Sequence, residues 1–497
     1  MKSLAIAAVL AACGPAVPHG PTTGGADPDD IATRLPVTRW FPSQPTYGFV
    51  APTLRDGQAA VAHLADLVGP VFDASAAMVS AGMREQFGVD PLDQNQLAGL
   101  GFDLDGNIAV FSDELAPTFA VHLSAPEAMR AFIAKAIGAG MVASTAKVGD
   151  LVVSTYAFSF GDSISWVIDH DWLLVHVGQG PPSTAWFTAI HDPHSRDWQR
   201  RDPLTGGDTF YAGKDATATV GGFVDLPRLL GVVANTWPGA AACTKRLGAF
   251  GHVEIGSGVR NGAVGFKLSA ALDPAAAAAA VAHGVLAPPP GWQAVAADAP
   301  IALQWNLDLD AGVGWFEPCA KALHVDPIAL SRYQVRTLRA ALETFSDGKP
   351  SGVLAADLSG SSAIASMLAE ELDRIPSFLR SRVDHAKRFG TYSGHELSIP
   401  TVPTVDYVLT DALAIFAIGD GLIDRVVATS AQVSAPPAAS LVIQPRKLSP
   451  AAWKDMFDAI GLQLPEPLLA LLQHWQRLSV TATVGNDGLK LQAEAAP

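Results

Sequence analysis

The stretch Ile164–Gly178 reads ISWVIDHDWLLVHVG, and the stretch Val405–Gly419 reads VDYVLTDALAIFAIG. Each stretch has two apolar runs around a short polar break, a pattern that predicts two β-strands joined by a tight turn. The two stretches align without gaps, although few of their residues are identical. We therefore expect the same hairpin to occur twice, in two related halves of the chain.

Four further landmarks recur in the same order and at a nearly constant separation. Together with the hairpin they predict two copies of one fold. The matched landmarks are Val89-Asp90-Pro91-Leu92 with Val325-Asp326-Pro327-Ile328, Asp105-Gly106-Asn107 with Asp347-Gly348-Lys349, Leu123-Ser124 with Leu358-Ser359, and Arg260-Asn261-Gly262 with Asn486-Asp487-Gly488.

Helix starts are predicted at Asp90-Pro91 and Asp326-Pro327. An aspartate N-cap accepts backbone N–H bonds, and a proline at the first helical position gives up no hydrogen bond. Beyond Pro327, an apolar face at helical spacing predicts an amphipathic helix. The residues of that face are Val335, Leu338, Leu342 and Phe345.

Hairpin turns are predicted at Asn261-Gly262 and Asp487-Gly488, because both dipeptides tolerate positive φ. Hairpins imply antiparallel strands, and helical patterns are interspersed among them. The predicted fold class is therefore α+β, with two tandem copies of a mainly antiparallel sheet and helices packed on one face.

The predicted domains are a signal peptide over 1–12, a flexible tether over 13–45, a first α+β copy over 46–287 and a second over 288–497. The tether is rich in Gly, Pro and Asp, which disfavour helix and sheet. Near the boundary, the run Ala275–Ala280 predicts a helix that Pro288-Pro289-Pro290 follows as a connector. Low-complexity disorder is the alternative for the alanines.

Composition excludes several classes of protein. The chain has 497 residues, of which 49% are hydrophobic and only 16% are charged, so disorder through excess charge is excluded. The net charge of -15 opposes binding to phosphate backbones, and no nucleic acid partner is expected.

The first thirteen residues form an export signal. A positive start at Lys2 precedes the apolar run Leu4–Ala12, which ends directly at Cys13. At about 1.5 Å per residue this run is too short for a hydrocarbon core about 30 Å thick, so it is predicted to be a cleaved leader. The ending Leu10-Ala11-Ala12-Cys13 resembles the lipobox of bacterial lipoproteins. A plain signal peptide with an incidental cysteine is the alternative.

The lipoprotein resemblance implies a lipid anchor at Cys13. In that family the cysteine becomes the first residue of the mature chain and carries acyl chains such as palmitate, which attach the protein to a membrane. The residue that follows, Gly14, resembles the outer-membrane sorting pattern because it is not Asp. The resemblance implies a cell-envelope location, with the body periplasmic or surface-exposed. Beyond the leader, no apolar stretch is long enough to predict a transmembrane helix.

The body of the chain, from Tyr47 to Pro497, resembles a set of uncharacterised bacterial envelope proteins with tandem copies. Its shared motifs are patterns of polarity, so the resemblance supports fold and location and transfers no catalytic residue.

Several short motifs resemble catalytic or metal-binding patterns, but a strand or a turn explains each of them more simply. Ser144-Thr145-Ala146-Lys147 fits the Ser-x-x-Lys pattern of penicillin-binding enzymes, but it is predicted to lie in a strand that would point Ser144 and Lys147 to opposite faces. Asp103–Asn107 has the spacing of a turn and lacks that of a calcium loop. Histidine and aspartate groups that could bind a metal are predicted to be solvated turns; they comprise His170 with Asp169 and Asp171, and His191, Asp192 and His194 with Asp197.

No catalytic, cofactor-binding or metal-binding residue is therefore predicted, and no cofactor. Cys243 and Cys319 are the thiols that remain beside Cys13. Because export leads to an oxidising compartment, they could pair as a disulfide, with two separately buried thiols as the alternative.

The expected function is that of a non-enzymatic, lipid-anchored envelope protein that binds an apolar ligand or an envelope protein in the seam between the two duplicated domains. The alternatives are an envelope hydrolase whose catalytic residues are dispersed in sequence, and a structural component of an outer-membrane assembly.

Overall fold

A computed structural model describes most of the chain. The described residues are 35–42, 44–59, 61–62, 76–112, 114–138, 144–148, 151–158, 161–179, 219–236, 244, 248–260, 263–272, 278, 284–309, 334–346, 349–376, 380, 382–398, 403–428, 436–459, 465–485 and 488–496.

The chain divides into two compact units. The first comprises residues 1–238 and 251–269, and the second comprises residues 239–250 and 270–497. Each unit combines an antiparallel sheet with helices, so the predicted α+β class is confirmed.

In the first unit the strands pair antiparallel in the order β4-β5-β6-β7-β3-β2-β1-β8-β9-β10. The strands are β1 (Tyr47–Ala51), β2 (Ile108–Ser112), β3 (Thr118–His122), β4 (Ser144–Val148), β5 (Leu151–Ala157), β6 (Asp162–Asp169), β7 (Trp172–Gln179), β8 (Thr219–Asp225), β9 (His252–Arg260) and β10 (Ala263–Ala271). The helices are α1 (Ala76–Phe87), α2 (Gln94–Gly99), α3 (Pro126–Gly138) and α4 (Leu226–Thr236).

In the second unit the strands pair antiparallel in the order β14-β15-β16-β17-β13-β12-β11-β18-β19-β20. The strands are β11 (Ile301–Trp305), β12 (Leu338–Ser346), β13 (Lys349–Asp357), β14 (Asp384–Phe389), β15 (Tyr392–Leu397), β16 (Val405–Leu409), β17 (Leu413–Ile418), β18 (Ala439–Ile443), β19 (Arg477–Gly485) and β20 (Gly488–Ala496). The helices are α5 (Trp292–Asp298), α6 (Ser362–Asp373), α7 (Leu422–Val427), α8 (Pro450–Ala459) and α9 (Glu466–His474).

Successive strand residues point to opposite sides of a sheet, and other elements pack on parts of both sides of each sheet. In the first unit, Ala120 packs with the 3-10 turn Pro36–Trp40, whereas its neighbour Val121 packs with Met129 of α3.

The second unit has helices on both faces of its sheet. Ala355 of β13 packs with Trp292 of α5 and Leu422 of α7, whereas its neighbour Ala356 packs with Ile364 of α6. The prediction of helices on one face therefore needs correction. Both sides of the strands carry apolar residues, so each side needs a cover.

The helix predicted over Val335–Phe345 is wrong, since Leu338 to Phe345 lie in β12. Val335 also pairs as a strand, in an isolated bridge to Leu358. Thr337 and Arg339 are polar but lie on the buried side of this segment. The apolar residues therefore do not alternate every second position, as they do in a typical half-buried strand. An irregularity in pairing between Leu342 and Thr344 then shifts the phase, and the apolar residues fall by coincidence at helical spacing.

The predicted helix start at Asp90 also needs correction. Asp93 is the N-cap, and its side chain accepts bonds from the backbone N–H groups of Asn95 and Gln96. The Asp90 carboxylate instead accepts a hydrogen bond from Ser80 and lies 2.6 Å from an Arg84 nitrogen, and both contacts lower its pKa. The corresponding start at Asp326 lies outside the described residues.

One landmark match fails on the strand order. Asp105-Gly106-Asn107 precedes β2, whereas Asp347-Gly348-Lys349 follows β12 and leads into β13. The alanine run lies outside the described residues except for Ala278, so the predicted helix there stays a prediction. Among the described residues, no helix combines the length and apolar character needed to span a bilayer.

Candidate functional site

One row of side chains crosses the sheet of the second unit from β14 to β20. Its members pair directly across neighbouring strands, so their side chains share one face of the sheet. In strand order they are Ala386, His395, Tyr407, Phe416, Leu354, Ala340, Leu303, Leu441, Val480 and Ala493. We call the five members from Leu354 to Val480 the open row.

Helices cover the sheet on both sides of the open row. Two positions from Ala340 in one direction along β12, Leu338 packs in the cluster of Ile364 from α6. Two positions in the other direction, Leu342 packs in the cluster of Trp453 from α8. Since a strand rises about 3.4 Å per residue, the two covered rows lie about 14 Å apart.

Two members of the open row are exposed and the other three are half-buried. Leu354 is 40% exposed and Val480 is 39% exposed, while Ala340, Leu303 and Leu441 are half-buried. None of the five belongs to a cluster of buried side chains formed by the described residues. Five strands spaced by about 4.8 Å give an apolar trough about 19 Å long.

Three stacked rings, on β15, β16 and β17, continue the row beyond Leu354. The His395 and Tyr407 ring centres are 5.1 Å apart, and those of Tyr407 and Phe416 are 6.0 Å apart. Tyr407 is buried, and burial raises the pKa of its hydroxyl, with the negative charge of Asp384 adding to the rise. The Asp384 carboxylate lies 2.8 Å from His395 Nδ1, so a carboxylate lies at this end of the row.

An ionic cluster lies on the opposite face of strands β14, β15 and β16. Lys387 Nζ lies 2.7 Å from Glu396 Oε2 and 2.9 Å from both Asp406 carboxylate oxygens. The hydrogen bond to Glu396 is the main reason that the pKa of Lys387 is raised. In the first unit the paired residues Thr155 and Ser165 hold the matching strand pair by a hydrogen bond of 2.8 Å between their hydroxyls.

The matching row of the first unit has larger side chains at four of the five positions that match the open row, and Gly222 at the position of Leu441. In strand order it runs Thr145, Ser154, Trp166, Val175, Phe119, Val110, Phe49, Gly222 and Ile255. Phe49 is buried, and Trp166 and Val175 pack against the cluster that α3 covers. The first unit therefore offers no trough of the same kind among its described residues.

His122, at the end of β3, lies between two carboxylates. Its Nδ1 is 2.8 Å from Asp103 Oδ2, and its Nε2 is 3.0 Å from Asp171 Oδ2. Arg39 lies 3.7 Å from Asp171 and over the Trp172 ring. Burial by itself raises the pKa of Asp171, but the hydrogen bond and charge of His122, with Arg39, lower it by more. Because both imidazole nitrogens already face carboxylates, His122 offers no free nitrogen to a substrate or a metal ion.

Asp357 occupies the matching place at the end of β13 and meets a buried cation. Its Oδ2 lies 2.9 Å from Arg339 Nη2 and accepts a bond of 2.6 Å from the Thr337 hydroxyl. Arg339 Nε also donates to Asn306 Oδ1 over 2.7 Å. Burial lowers the pKa of Arg339, and the charge of Asp357 partly offsets this. The Arg339 side chain is fully buried, whereas that of Asp357 is 24% exposed. Arg339 Nη1 is buried and has no hydrogen-bond partner among the described residues.

The structure describes three of the motifs considered from sequence, and it places them in a strand and in two turns. Ser144 and Lys147 lie in β4, which confirms the predicted strand. Asp103–Asn107 forms a turn in which Asp105 N–H donates to Asp103, as predicted. His170 is in the turn between β6 and β7, exposed and 2.9 Å from Asp169. Of its two flanking aspartates, Asp171 joins the His122 cluster.

No group of three metal-binding side chains with suitable geometry exists within the described ranges. His191, Asp192, His194 and Asp197 lie outside those ranges, as do Cys13, Cys243 and Cys319. Their predicted roles, including the lipidation of Cys13 and the pairing of the other two cysteines, stay predictions.

Sequence reasoning missed both the open row and the His122 cluster. Each brings together residues from distant strands, and only the pairing register aligns them. The signal available in the sequence is the apolar alternation within single strands, such as Leu303 in β11 and Val480 in β19, which does not show what lies opposite.

Comparisons with known proteins provide no family for this chain. No protein-family model matches it, and no curated protein matches it. Two solved structures of TP0453, crystal forms I and IV, are similar to part of it, each with 11% sequence identity and a TM-score of 0.25. The similarity covers 50% of this chain and 81% of the form I chain, and 47% and 79% for form IV. This distant likeness identifies no function for this chain.

Proposed function

We propose that this chain is a lipid-anchored cell-envelope protein that binds an apolar ligand and catalyses no reaction. The open row in the second unit is the observation that carries the binding role. A contiguous exposed apolar surface between covered regions is typical of a binding site. Both imidazole nitrogens of His122 already face carboxylates, which favours binding over catalysis as the function.

We further propose that the two units arose as tandem copies of one fold. In support, ten strands follow the same order in each unit. The ends of β3 and β13 also agree in detail, since Leu123 bridges Phe102 and Leu358 bridges Val335. The residue before each bridge, Gly101 or Gln334, has a positive φ.

The anchor proposal rests on Leu10-Ala11-Ala12-Cys13 at the end of the short apolar leader. Its test is incorporation of labelled palmitate by the full chain in a bacterial host. Cys13→Ser is expected to abolish labelling and to release the protein from membranes, because the lipobox then has no thiol to carry the lipid. Equal labelling of the variant would remove the anchor from the proposal.

The binding proposal is tested with N-phenylnaphthylamine, a neutral dye that fluoresces in apolar surroundings. The native protein is expected to bind the dye, and Leu354→Asp is expected to weaken binding at least tenfold, since it places a charge on the trough floor. Val152→Asp is the matched control, because Val152 is an exposed apolar residue, 57% exposed, on a strand of the first unit. Equal binding by all three proteins would overturn the proposal.

A further inference from the structure

We infer that β14 is a dimer interface, at which the strand pairs antiparallel with β14 of a second copy of this chain. Ala386 lies on the two-fold axis of the pair, opposite Ala386 of the second copy. The sheets of the two second units then form one continuous sheet. This inference goes beyond the proposed function and does not depend on it.

The strand β14 lies at one edge of the second-unit sheet. It pairs with β15 on one side, and no described strand pairs with it on the other side. An edge strand presents a row of unpaired backbone N–H and C=O groups, which another strand can pair with.

The pairing with β15 decides which backbone groups of β14 point outward. Phe389 pairs with Tyr392 across a two-residue turn, and the pair that closes such a turn is hydrogen-bonded. Six residues earlier, the Val383 carbonyl accepts a bond of 2.8 Å from Ser398 N–H, which fits the same two-residue alternation. The odd-numbered residues therefore bond to β15. The outward groups belong to Asp384, Ala386 and Arg388.

The outward residues are complementary to themselves in one antiparallel register. When Ala386 faces Ala386 of the second copy, Asp384 faces Arg388 of that copy and Arg388 faces its Asp384. All three outward residues then meet outward residues, so their N–H and C=O groups can pair. A shift of the register by two residues in either direction removes both pairs of opposite charges. Because such cross-strand pairs stabilise a sheet, they select this register.

The side chains needed for these contacts are available. Arg388 is exposed and makes no ion pair within the part of the chain that the structure describes. Asp384 uses Oδ1 to contact His395 Nδ1 at 2.8 Å, which leaves Oδ2 for a guanidinium. Ala386 is small and exposed, so no side chain obstructs the axis.

The opposite face of β14 does not oppose the pairing. There, Lys387 would face His385 of the second copy, because paired residues share one face of the sheet. The charge of Lys387 is already met by Glu396 at 2.7 Å and Asp406 at 2.9 Å. Repulsion between the copies on this face is therefore weak.

The edge strand of the first unit lacks this complementarity. Val148 of β4 pairs with Leu151 across two residues, so the same alternation makes Thr145 and Lys147 the outward residues. The strand Ser144–Val148 contains no acidic residue. No register of β4 with itself places opposite charges together, so the interface belongs to the second unit.

The interface is tested by disulfide trapping of the full chain in a bacterial host, with the variant Ala386→Cys. Residues in a hydrogen-bonded antiparallel pair have Cα atoms about 5.5 Å apart, within reach of a disulfide. We expect at least tenfold more trapped dimer than the native chain gives under the same oxidation.

Two cysteine variants are the matched controls. Ser393→Cys is exposed on the same face but on β15, and Thr145→Cys lies on the edge strand of the first unit. Both should give no more dimer than the native chain. If either control were trapped as strongly as Ala386→Cys, the interface at β14 would be wrong.

The register is tested by charge exchange in chains that also carry Ala386→Cys. Asp384→Arg and Arg388→Asp each place like charges opposite one another, and each is expected to reduce trapping at least tenfold. In a mixture of the two variants opposite charges meet again, so trapping between them should recover. Circular dichroism checks that both variants fold, and tags of different length identify the mixed dimer.

The outcomes are distinct from those of the dye experiment. Full trapping of either single variant, or no recovery in the mixture, would overturn the pairing of Asp384 with Arg388. Arg388→Asp should leave dye binding unchanged, because Arg388 lies on β14, outside the open row. Failure of the interface therefore leaves the proposed function as it stands.

Discussion

The two units present the same row of sheet positions in different states. Where the second unit has Leu303, Ala340 and Leu354, the first has Phe49, Val110 and Phe119. Phe49 is buried in the first unit, whereas Leu354 is 40% exposed in the second. The exception to the larger side chains of the first unit is Gly222, which stands where the second unit has Leu441. The same backbone pattern therefore carries different side chains in the two units, and these give the two sheet surfaces different exposure.

A second contrast lies at the ends of β3 and β13. The first unit places His122 there, in contact with solvent and two carboxylates, whereas the second places Asp357 against Arg339, whose side chain is fully buried. An exposed cluster and a buried ion pair at one position should respond very differently to removal of one partner.

The largest expected effect is that of Asp357→Ala. It leaves the buried Arg339 charge without its carboxylate, and we expect a loss of about 3–5 kcal/mol in the stability of the second unit. His122→Ala should cost the first unit only about 1–2 kcal/mol, because water can replace its contacts. Hydrogen exchange of peptides from β13 and β3 measures both. Similar losses would mean that the two clusters are energetically alike.

Gly101 and Gln334 allow the next comparison, since both have positive φ, 91° and 58°. A Cβ on Gly101 would lie 2.2 Å from the Ala125 carbonyl oxygen, so Gly101→Ala should destabilise the first unit by at least about 2 kcal/mol.

The reverse change, Gln334→Gly, should alter the second unit by less than about 1 kcal/mol, because glycine adopts this conformation readily. Thermal unfolding followed by circular dichroism compares the two variants. A larger loss for Gln334→Gly would show that its side-chain contact to Ser362 Oγ, at 3.3 Å, matters more than the backbone.

A smaller effect on stability is expected at the matching strand pairs β5–β6 and β15–β16. A hydrogen bond between two hydroxyls joins the first pair, and the Lys387 ion cluster joins the second. Thr155→Val should cost the first unit about 1 kcal/mol, the value of one neutral hydrogen bond. Lys387→Met should cost the second unit more, because it leaves Glu396 facing the buried Asp406. Urea unfolding at two salt concentrations measures both losses. Added salt should change the stability that the Lys387 cluster contributes to the native protein, and it should not change that of the Thr155–Ser165 hydrogen bond.

The smallest effect is a difference in acid sensitivity. Burial lowers the pKa of His474, and the charge of Arg446 adds to the shift, so stability that this residue supports is lost as pH falls below its ordinary value of 6.5. The pKa of Asp171 lies below its ordinary value of 3.8, so its contribution persists until the pH falls below about 4.

Acidification should therefore loosen α9 of the second unit before it loosens the His122 cluster of the first. Hydrogen exchange at pH 7, 5 and 3 would show the order. His474→Gln should remove the early change and Asp171→Asn the later one. Simultaneous loosening in the native protein would contradict the assignment.

The sequence alone determined the α+β class, the antiparallel hairpins and the strand at Ser144–Val148, because alternation and turn residues act locally. It failed at Val335–Phe345, where the buried Thr337 and Arg339 and a shift in register conceal a strand. The open row and the carboxylates around His122 were decided only by the tertiary structure. Their members come from strands far apart in the chain, and side chains meet only when the pairing register places them on one face.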